Sequence, residues 1–279
     1  MKILVFGKSG QVARELAGQA DVICLDRAAA DLADPAACAA AIRAQNPSAV
    51  INAAAFTAVD AAEEHEAEAT VINGAAPGAM AQECAALGIP FVQISTDYVF
   101  DGADGPAWQP DNPTAPLGAY GRTKLAGEQG IIAAQGVYVI LRTAWVFDAT
   151  GQNFVTTMLR LSQTRDALTV VGDQIGGPTP AAAIAEACLV IAKALVEGKG
   201  ASGTYHLSGT PDVSWADFAR AIFATARRDI TVTDIPTADY PTPARRPANS
   251  RMDCTSTEHA FGITRPDWHS ALAKICAPT

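Results

Sequence analysis

Tyr120 and Lys124 stand four residues apart in LGAYGRTKLAGEQ (117–129), a segment with the composition of a helix. Residues with this spacing lie on one face of a helix, so a phenol and an ammonium group can act on the same ligand. Such a pair can transfer a proton if its surroundings stabilise the phenolate. The spacing also fits an ordinary helix with an aromatic residue and a charge on its surface, and the pair alone does not decide between the two.

The first predicted strand runs into a glycine-rich turn of the kind that binds dinucleotides. In ILVFGKSGQVAREL, Gly7 can adopt the positive φ of a tight turn, Gly10 leaves room for a pyrophosphate, and Ala13 allows close packing. Free N–H groups at the start of the following helix favour phosphate. A P-loop is excluded, because that motif needs a glycine at the position of Lys2.

The ends of the next two predicted strands fit the rest of a dinucleotide. Asp26 can accept hydrogen bonds from ribose hydroxyls and favours NAD, whereas Arg27 can meet the 2′-phosphate of NADP. An adenine-side loop and small residues that let a ribose and nicotinamide lie against the backbone supply further contacts, predicted at Asp31, Leu32, Ala53, Ala54 and Ala55. A solvated strand end and tight alanine packing are the alternative interpretations, and the choice between NADH and NADPH stays open.

The fourth predicted strand ends in Ser95, Thr96, Asp97 and Tyr98. Ligands of open α/β sheets bind beyond the carboxyl ends of the strands, so we expect this cluster to share a cleft with the glycine-rich turn. Together with the Tyr and Lys of the next helix, these are the parts needed to reduce a ketone by hydride transfer. A free phenol has a pKa of about 10, and we predict that Lys124 and the positive ring of the coenzyme lower it.

A parallel sheet is needed to bring these residues together, and the sequence predicts one. Ala-rich segments that are typical of helices alternate with short apolar runs at 3–6, 21–25, 49–52, 90–95 and 137–142. This alternation predicts an α/β fold, a Rossmann-like doubly wound parallel sheet with helices on both faces. Residues 101–116 form a long Gly- and Pro-rich loop before the Tyr120 helix, and loops of that length are usually functional.

The alternation weakens after residue 145, which predicts a smaller, irregular C-terminal substrate lobe. We assign residues 1–147 to a dinucleotide-binding domain, completed by a return helix near 178–198. The substrate-binding lobe is assigned to 148–177 and 199–279.

Composition excludes several classes of protein. The chain of 279 residues has a formal net charge of -9, so its overall field repels nucleic acid. Its six cysteines are scattered without Cys-x-x-Cys or paired His spacing, and no metal site is predicted. The apolar start is too short for a signal peptide and no apolar run approaches the length of a membrane span, so we expect a cytoplasmic protein with no membrane segment.

At several of these positions the chain resembles the extended short-chain dehydrogenase/reductase superfamily: Gly7, Gly10, Ala13, Thr96, Tyr120 and Lys124. A narrower resemblance, to the dTDP-4-dehydrorhamnose reductase family, covers nearly the whole chain in STDYVFDG, YGRTKLAGE, LRTAWVF, NFVTTMLRL, DQIGGPT, GTYHLSG and YPTPARRPANSRMD. It implies a dTDP-sugar substrate and NADPH or NADH as coenzyme. The reaction implied is reduction of the C4 ketone of dTDP-4-dehydro-L-rhamnose, the last step in making dTDP-L-rhamnose for cell-surface polysaccharide.

The resemblance also implies roles for individual residues. Tyr120 and Lys124 would be the catalytic pair, assisted by Thr96 at the carbonyl oxygen. Coenzyme contacts carry over to Gly10, Gln11, Val12, Asp26, Asp31, Leu32, Ala53, Ala54 and Ala55. Sugar-nucleotide contacts are assigned to Val59, Ser95, Asp97, Tyr98 and Trp145, with the substrate diphosphate held by Arg245 and Arg246. Core packing of Trp145 and surface positions for both arginines are the rival interpretations.

Two features depart from the family pattern. Ala13 stands where glycine is more usual, which is tolerable because only a small residue is needed. Some family members dimerise through a magnesium site built from glutamates; Glu15 is retained here without obvious partners, so no metal is predicted and a homodimer stays open.

Two other functions are compatible with the same fold. Some relatives bind NADP as regulatory subunits, but a pure binding module has no need of the Tyr120 phenol. A sugar-nucleotide epimerase or dehydratase is the other alternative; dehydratases typically carry an Asp-Glu pair, whereas Asp97 is followed here by Tyr98.

Overall fold

The structure is a computed structural model that describes residues 1–277. The strands are β1 (Ile3–Phe6), β2 (Val22–Leu25), β3 (Ala49–Asn52), β4 (Phe91–Thr96), β5 (Tyr138–Thr143), β6 (Val146–Phe147), β7 (Ala167–Val171), β8 (Ile175–Gly176), β9 (Thr179–Pro180), β10 (Gly203–Leu207), β11 (Val213–Ser214), β12 (Thr231–Ile235) and β13 (Asn249–Ser250). The α-helices are α1 (Gln11–Gln19), α2 (Pro35–Gln45), α3 (Val59–Glu64), α4 (Glu66–Thr70), α5 (Ala76–Leu87), α6 (Ala119–Ala133), α7 (Phe154–Leu161), α8 (Ala181–Val196), α9 (Trp215–Thr225), α10 (Thr255–Phe261) and α11 (Trp268–Ile275).

Six parallel strands form the central sheet, in the order β10-β5-β4-β3-β1-β2. Helices cover both faces, and the alternation of side chains along β1 shows why. Ile3 and Val5 enter a core with α1 and α8, whereas Leu4 and Phe6 enter the opposite core with α2, α5 and α6. Each fully buried side chain of this size contributes about 1.5–3 kcal/mol. The predicted Rossmann-like doubly wound fold is confirmed.

One part of the predicted domain division is wrong. The segment 203–207 was assigned to the substrate lobe, but it pairs in parallel with β5 as an edge strand of the central sheet. The segment does not look like a buried strand in the sequence because it contains polar residues. One of them, His206, is nevertheless fully buried beneath the loop that precedes α6. We propose the same two-part division with β10 moved to the dinucleotide-binding domain.

A separate aromatic core is formed by strands β6, β7, β11 and β12 together with helices α7, α9 and α11. Phe147, Phe218, Phe223 and Trp268 are at most 2% exposed there.

None of the helices within residues 1–277 combines the length and the apolar character that a membrane span requires.

Local contacts fix the helix that carries Tyr120 and Lys124. A Glu63 carboxylate oxygen accepts a hydrogen bond from the first N–H of α6, on Ala119, at 2.8 Å. The long loop before α6 is tied down where Trp108 Nε1 donates to the Asn249 carbonyl at 3.0 Å. The helix start is therefore held by α3, and the loop before it is held by the C-terminal part of the chain.

Candidate active site

The turn after β1 has the geometry that close approach of a ligand requires. Gly7 has a φ of 113°, and a Cβ on it would lie 3.3 Å from both Ala13 Cβ and the Ala53 carbonyl carbon. Gly10 is the N-cap of α1 and has no side chain to cover the first N–H groups of the helix. These N–H groups and the positive end of the helix dipole favour a phosphate.

Three cavities meet at the carboxyl ends of the strands. The first cavity, of about 730 Å³, begins at the turn and extends past the ends of β2 and β3. The second cavity, of about 460 Å³, shares Ser9, Gly10 and residues 53–55 with the first and extends past β4 and α6. The third cavity, of about 490 Å³, shares Tyr98 with the second and lies against α7.

The cavities bring together the residues for which the sequence predicts coenzyme contacts. The first cavity is lined by Gly7, Gly10, Asp26, Arg27, Asp31, Leu32, Ala53, Ala54 and Ala55. The second is lined by Gly10, Gln11, Val12, Ala53, Ala54, Ala55, Tyr120 and Lys124.

Charged side chains of both signs stand at the far end of the first cavity. Lys8 Nζ lies 3.2 Å from an Asp26 carboxylate oxygen, and Arg27 Nε lies 3.2 Å from Asp31. A hydrogen bond from the Ala29 N–H, with a smaller effect of Lys8, lowers the pKa of Asp26. A ligand here therefore meets an ionised carboxylate flanked by two cations.

Tyr120 and Lys124 lie one turn apart on α6 and both line the second cavity. The Tyr120 ring packs edge to face on Tyr98, with centroids 5.5 Å apart. Burial, and then the charge of Asp97, raise the pKa of the phenol to about 12, although the Thr96 hydroxyl works in the opposite direction. In the protein alone, burial and the charge of Asp97 therefore dominate the pKa of the phenol. Its predicted lowering by Lys124 together with the positive ring of the coenzyme stays a prediction.

Lys124 is 4% exposed and its ammonium group points along the end of β4. Its Nζ donates to the Ile94 carbonyl at 2.7 Å. Burial lowers the pKa of Lys124 to about 8, while the charge of Glu128 raises it. An ammonium group has three donors, so two N–H bonds remain beyond this one protein bond in the described chain.

Unsatisfied polar atoms mark the second cavity as a ligand site. Within residues 1–277, Asp97 Oδ2 and Thr143 Oγ1 are buried without a hydrogen-bond partner, although both residues line this cavity. The other Asp97 oxygen accepts a hydrogen bond from Thr96 Oγ1 at 3.1 Å. Burial raises the pKa of Asp97 to about 6. Buried acceptors of this kind are costly unless a ligand hydroxyl completes them.

An aromatic wall separates the second and third cavities. Trp145, with a φ of 50°, lines the second, and Trp215 lines the third. Their rings stack with centroids 3.5 Å apart, and Phe154 packs on Trp215. No sequence pattern points to Trp215, because 70 residues separate it from the tryptophan on which it stacks.

Of the remaining residues predicted to contact substrate, some line a cavity and one does not. Val59 lines the second cavity, and so does Ser95, but the Ser95 hydroxyl donates its proton to Glu128 at 2.6 Å. Arg246 lines the third cavity and pairs with Asp60 at 2.8 Å. Arg245 is exposed and lines none of the three cavities, so its contact with the substrate diphosphate stays a prediction.

Two further residues of α1 connect the turn to the loop 148–153. Arg14 Nη2 lies 2.9 Å from Asp148, and Asn153 Nδ2 donates to the Gln11 side chain at 3.1 Å. The Asn153 side chain also accepts a hydrogen bond from Thr156 N–H, which fixes the start of α7. Local sequence patterns do not reveal this connection, since it spans more than 130 residues.

The chain is similar to known proteins over nearly its whole length. The family model described as the RmlD substrate binding domain matches residues 1–279. The chain is 43% identical to a dTDP-4-dehydrorhamnose reductase of Sinorhizobium fredii, covering 99% of this chain and 96% of the relative.

Solved structures give the same result. A dTDP-4-dehydrorhamnose reductase of Clostridium acetobutylicum superposes with a TM-score of 0.92 at 38% identity, covering 99% and 98% of the two chains. That of Bacillus anthracis, solved in complex with NADP, has a TM-score of 0.90 at 31% identity, covering 98% of each chain. The chain therefore belongs to the dTDP-4-dehydrorhamnose reductase family.

Proposed function

We propose that this protein reduces the C4 ketone of dTDP-4-dehydro-L-rhamnose with NADPH or NADH and releases dTDP-L-rhamnose. The observation that carries this proposal is the convergence of Tyr120, Lys124 and Thr96 on one cavity that adjoins the dinucleotide turn. A regulatory binding module would not need an ionisable phenol at this position. The near full-length similarity to dTDP-4-dehydrorhamnose reductases supports the sugar nucleotide as substrate.

The residues of the first and second cavities fit a nicotinamide dinucleotide. Gly7 and Gly10 would let the pyrophosphate approach the start of α1, and Asp26 would bind the adenosine ribose. Lys124 would use its two remaining N–H bonds for the hydroxyls of the nicotinamide ribose. The coenzyme, when bound, supplies the hydride for C4 of the sugar.

Tyr120 acts as the proton donor. With its pKa raised to about 12, the phenol keeps its proton near neutral pH and can give it to the ketone oxygen as that oxygen becomes an alkoxide. The product hydroxyl carries this proton, and the Lys124 ammonium stabilises the phenolate that remains. Thr96 can hydrogen-bond the same oxygen by turning its proton away from Asp97.

The sugar and nucleotide would occupy the rest of the second cavity and the third. Asp97 Oδ2, which is buried and unpaired in the described chain, would accept a hydrogen bond from a sugar hydroxyl. Trp145 would pack on the sugar with its ring held by Trp215. Arg246, at the third cavity, would bind the diphosphate through charge-assisted hydrogen bonds.

A coupled test is direct. Purified protein is mixed with dTDP-4-dehydro-L-rhamnose and either NADPH or NADH, and coenzyme oxidation is followed together with formation of dTDP-L-rhamnose. We expect rapid product formation to require the intact Tyr120, and a UDP-linked analogue tests recognition of the nucleotide. Coenzyme binding without oxidation would favour the regulatory subunit, and an isomer formed without net oxidation would favour an epimerase.

We also propose the cytoplasm as the location and no nucleic acid as partner, which the net charge of -9 supports. A homodimer stays a prediction that light scattering of the purified protein tests.

A further inference from the structure

One turn beyond Lys124 on α6, Glu128 forms a buried ion pair with Arg142 of β5. Their side chains are 2% and 5% exposed, and Arg142 Nη2 lies 2.7 Å from Glu128 Oε2. Arg142 Nε donates to Oε1 at 3.0 Å, and the Ser95 hydroxyl donates to the same oxygen at 2.6 Å. Both oxygens of the carboxylate are therefore held in place.

Arg142 has further contacts that fix its own position. Its Nη1 donates to the Pro110 carbonyl of the long loop at 3.1 Å, and its guanidinium lies 5.0 Å from the centroid of the Phe100 ring. A buried pair of this kind often adds little stability over an apolar pair of the same size, because both charges lose their water. Stability alone does not account for its place behind a catalytic lysine.

The carboxylate of Glu128 acts on Lys124 through space. The two residues share one helix face at the i, i+4 spacing, but the Lys124 ammonium bonds to the Ile94 carbonyl and forms no ion pair with Glu128 in the described chain. Glu128 is nevertheless the group whose charge raises the pKa of Lys124 against the effect of burial. A carboxylate free to swing would pair with the ammonium directly and occupy the N–H bonds that a ligand needs.

We propose that Glu128 is a positioning residue for the reaction: its carboxylate, clamped by Arg142 and Ser95, keeps Lys124 charged while leaving the ammonium free to bind ligand. The proposal rests on the proposed function, in which that ammonium holds the coenzyme and stabilises the Tyr120 phenolate. Loss of the Glu128 carboxylate would affect the reaction through Lys124 and not through a contact with substrate.

Ionisable groups also stand on the elements that pack on α6, but in the described chain Glu128 is the one whose charge acts on the pKa of Lys124. The others are Tyr120 and Arg122 of α6, Asp97 and Tyr98 after β4, Arg142 of β5, Asp60, Glu63 and Glu64 of α3, Glu66 and Glu68 of α4, and Glu83 of α5. Arg122 and Glu66 pair with each other on the exposed side of the helix, 2.7 Å apart. This surface pair between α6 and α4 provides a matched control.

The decisive measurement is the pKa of Lys124 in coenzyme-free protein, taken from the 13Cε NMR signals of labelled lysine. The chain has only six lysines, and Lys124→Arg assigns the signal. We expect Glu128→Gln to lower the pKa of Lys124 by roughly one unit, as loss of a nearby opposite charge does. Glu66→Gln should leave it unchanged.

The double variant Glu128→Gln/Arg142→Met separates charge from structure. It removes the unpaired arginine that Glu128→Gln leaves buried, so it tests the proposal even if the single variant does not fold. We expect its Lys124 pKa to stay below that of the unmodified protein, by less than in the single variant because the positive charge of Arg142 is lost as well. Its melting temperature should lie above that of the single variant. A Lys124 pKa equal to that of the unmodified protein in the double variant would overturn the proposal.

Turnover provides a second reading. On the alkaline side of the pH profile, the pH at which kcat falls should decrease in each Glu128 variant by about as much as the pKa of Lys124 does. The NMR titration needs no turnover, so an unmodified protein that fails to reduce the sugar nucleotide would count against the proposed function alone. An unshifted pH profile and an unshifted titration would count against the role of Glu128 alone.

Discussion

Gly121→Ala is expected to move the proton donor, Tyr120, away from Thr96 and Asp97. Gly121 directly follows Tyr120 on α6, and a Cβ at this position would lie 2.1 Å from the Tyr98 carbonyl oxygen and 2.8 Å from Pro116 Cβ. A carbon and a carbonyl oxygen need about 3.3 Å, so the helix start must retreat by about 1 Å. The obstacle is backbone and cannot turn aside as a side chain would.

The size of the effect follows from that displacement. The Tyr98 carbonyl belongs to the short turn that carries Thr96 and Asp97, so retreat of α6 moves the phenol away from both. A misplacement of about 1 Å costs on the order of 100-fold in rate, and we expect this loss in kcat. Overpacking costs about 1–3 kcal/mol, of which up to about 1 kcal/mol is offset by the better helix propensity of alanine.

The assay compares kcat from coenzyme oxidation with the free energy of unfolding from urea titration. Gly78→Ala serves as the control, because its Cβ would meet Gly130 Cα of α6 at an ordinary 3.6 Å. A folded Gly121→Ala protein whose kcat stays within about threefold of the unmodified protein would refute the reasoning, since 1 Å of displacement cannot be harmless at a proton-transfer site.

Three further outcomes are expected. Tyr120→Phe should lower kcat by about 100- to 10,000-fold with coenzyme affinity retained in a fluorescence titration, and a loss below tenfold would assign the proton to another group. Asp26→Asn removes the carboxylate that repels a 2′-phosphate and releases Lys8, so the ratio of kcat/KM for NADPH over NADH should rise about tenfold; an unchanged ratio would remove Asp26 from coenzyme selection. Asp97 has a pKa of about 6 in the folded chain against 3.8 ordinarily, so the folded state binds more protons between these values and its stability falls as pH rises through them. Asp97→Asn should abolish this fall in urea titrations at several pH values, whereas parallel curves for the two proteins would contradict it.

Much of the fold could be predicted because its strands are continuous apolar runs. The five predicted runs match β1 to β5 to within one residue at each end, since parallel strands buried on both faces must be apolar. The strand β10 escaped prediction because Gly203, Thr204 and His206 weaken that signal. His206 is buried there through a contact of its ring with the Trp108 carbonyl, which local patterns cannot reveal.

The candidate site was predictable where a spacing or a strand end fixes the geometry. Tyr120, Lys124 and Thr96 follow from a helix face and a sheet edge, and the structure brings them to one cavity. The sequence does not predict in which direction a side chain points when its residue lies in a loop. Arg245 and Arg246 are neighbours in the chain, yet only Arg246 reaches Asp60 and the third cavity.

The bonds between α1 and the loop 148–153 give the two ligand sites a common mechanical support. Arg14 and Gln11 lie at the dinucleotide turn, while the loop they hold leads straight into α7, a wall of the third cavity. We therefore expect occupancy of one site to alter affinity at the other, with Arg14→Ala weakening that dependence. Thermodynamic reciprocity then requires the factor by which coenzyme tightens sugar-nucleotide binding to equal the factor by which the sugar nucleotide tightens coenzyme binding.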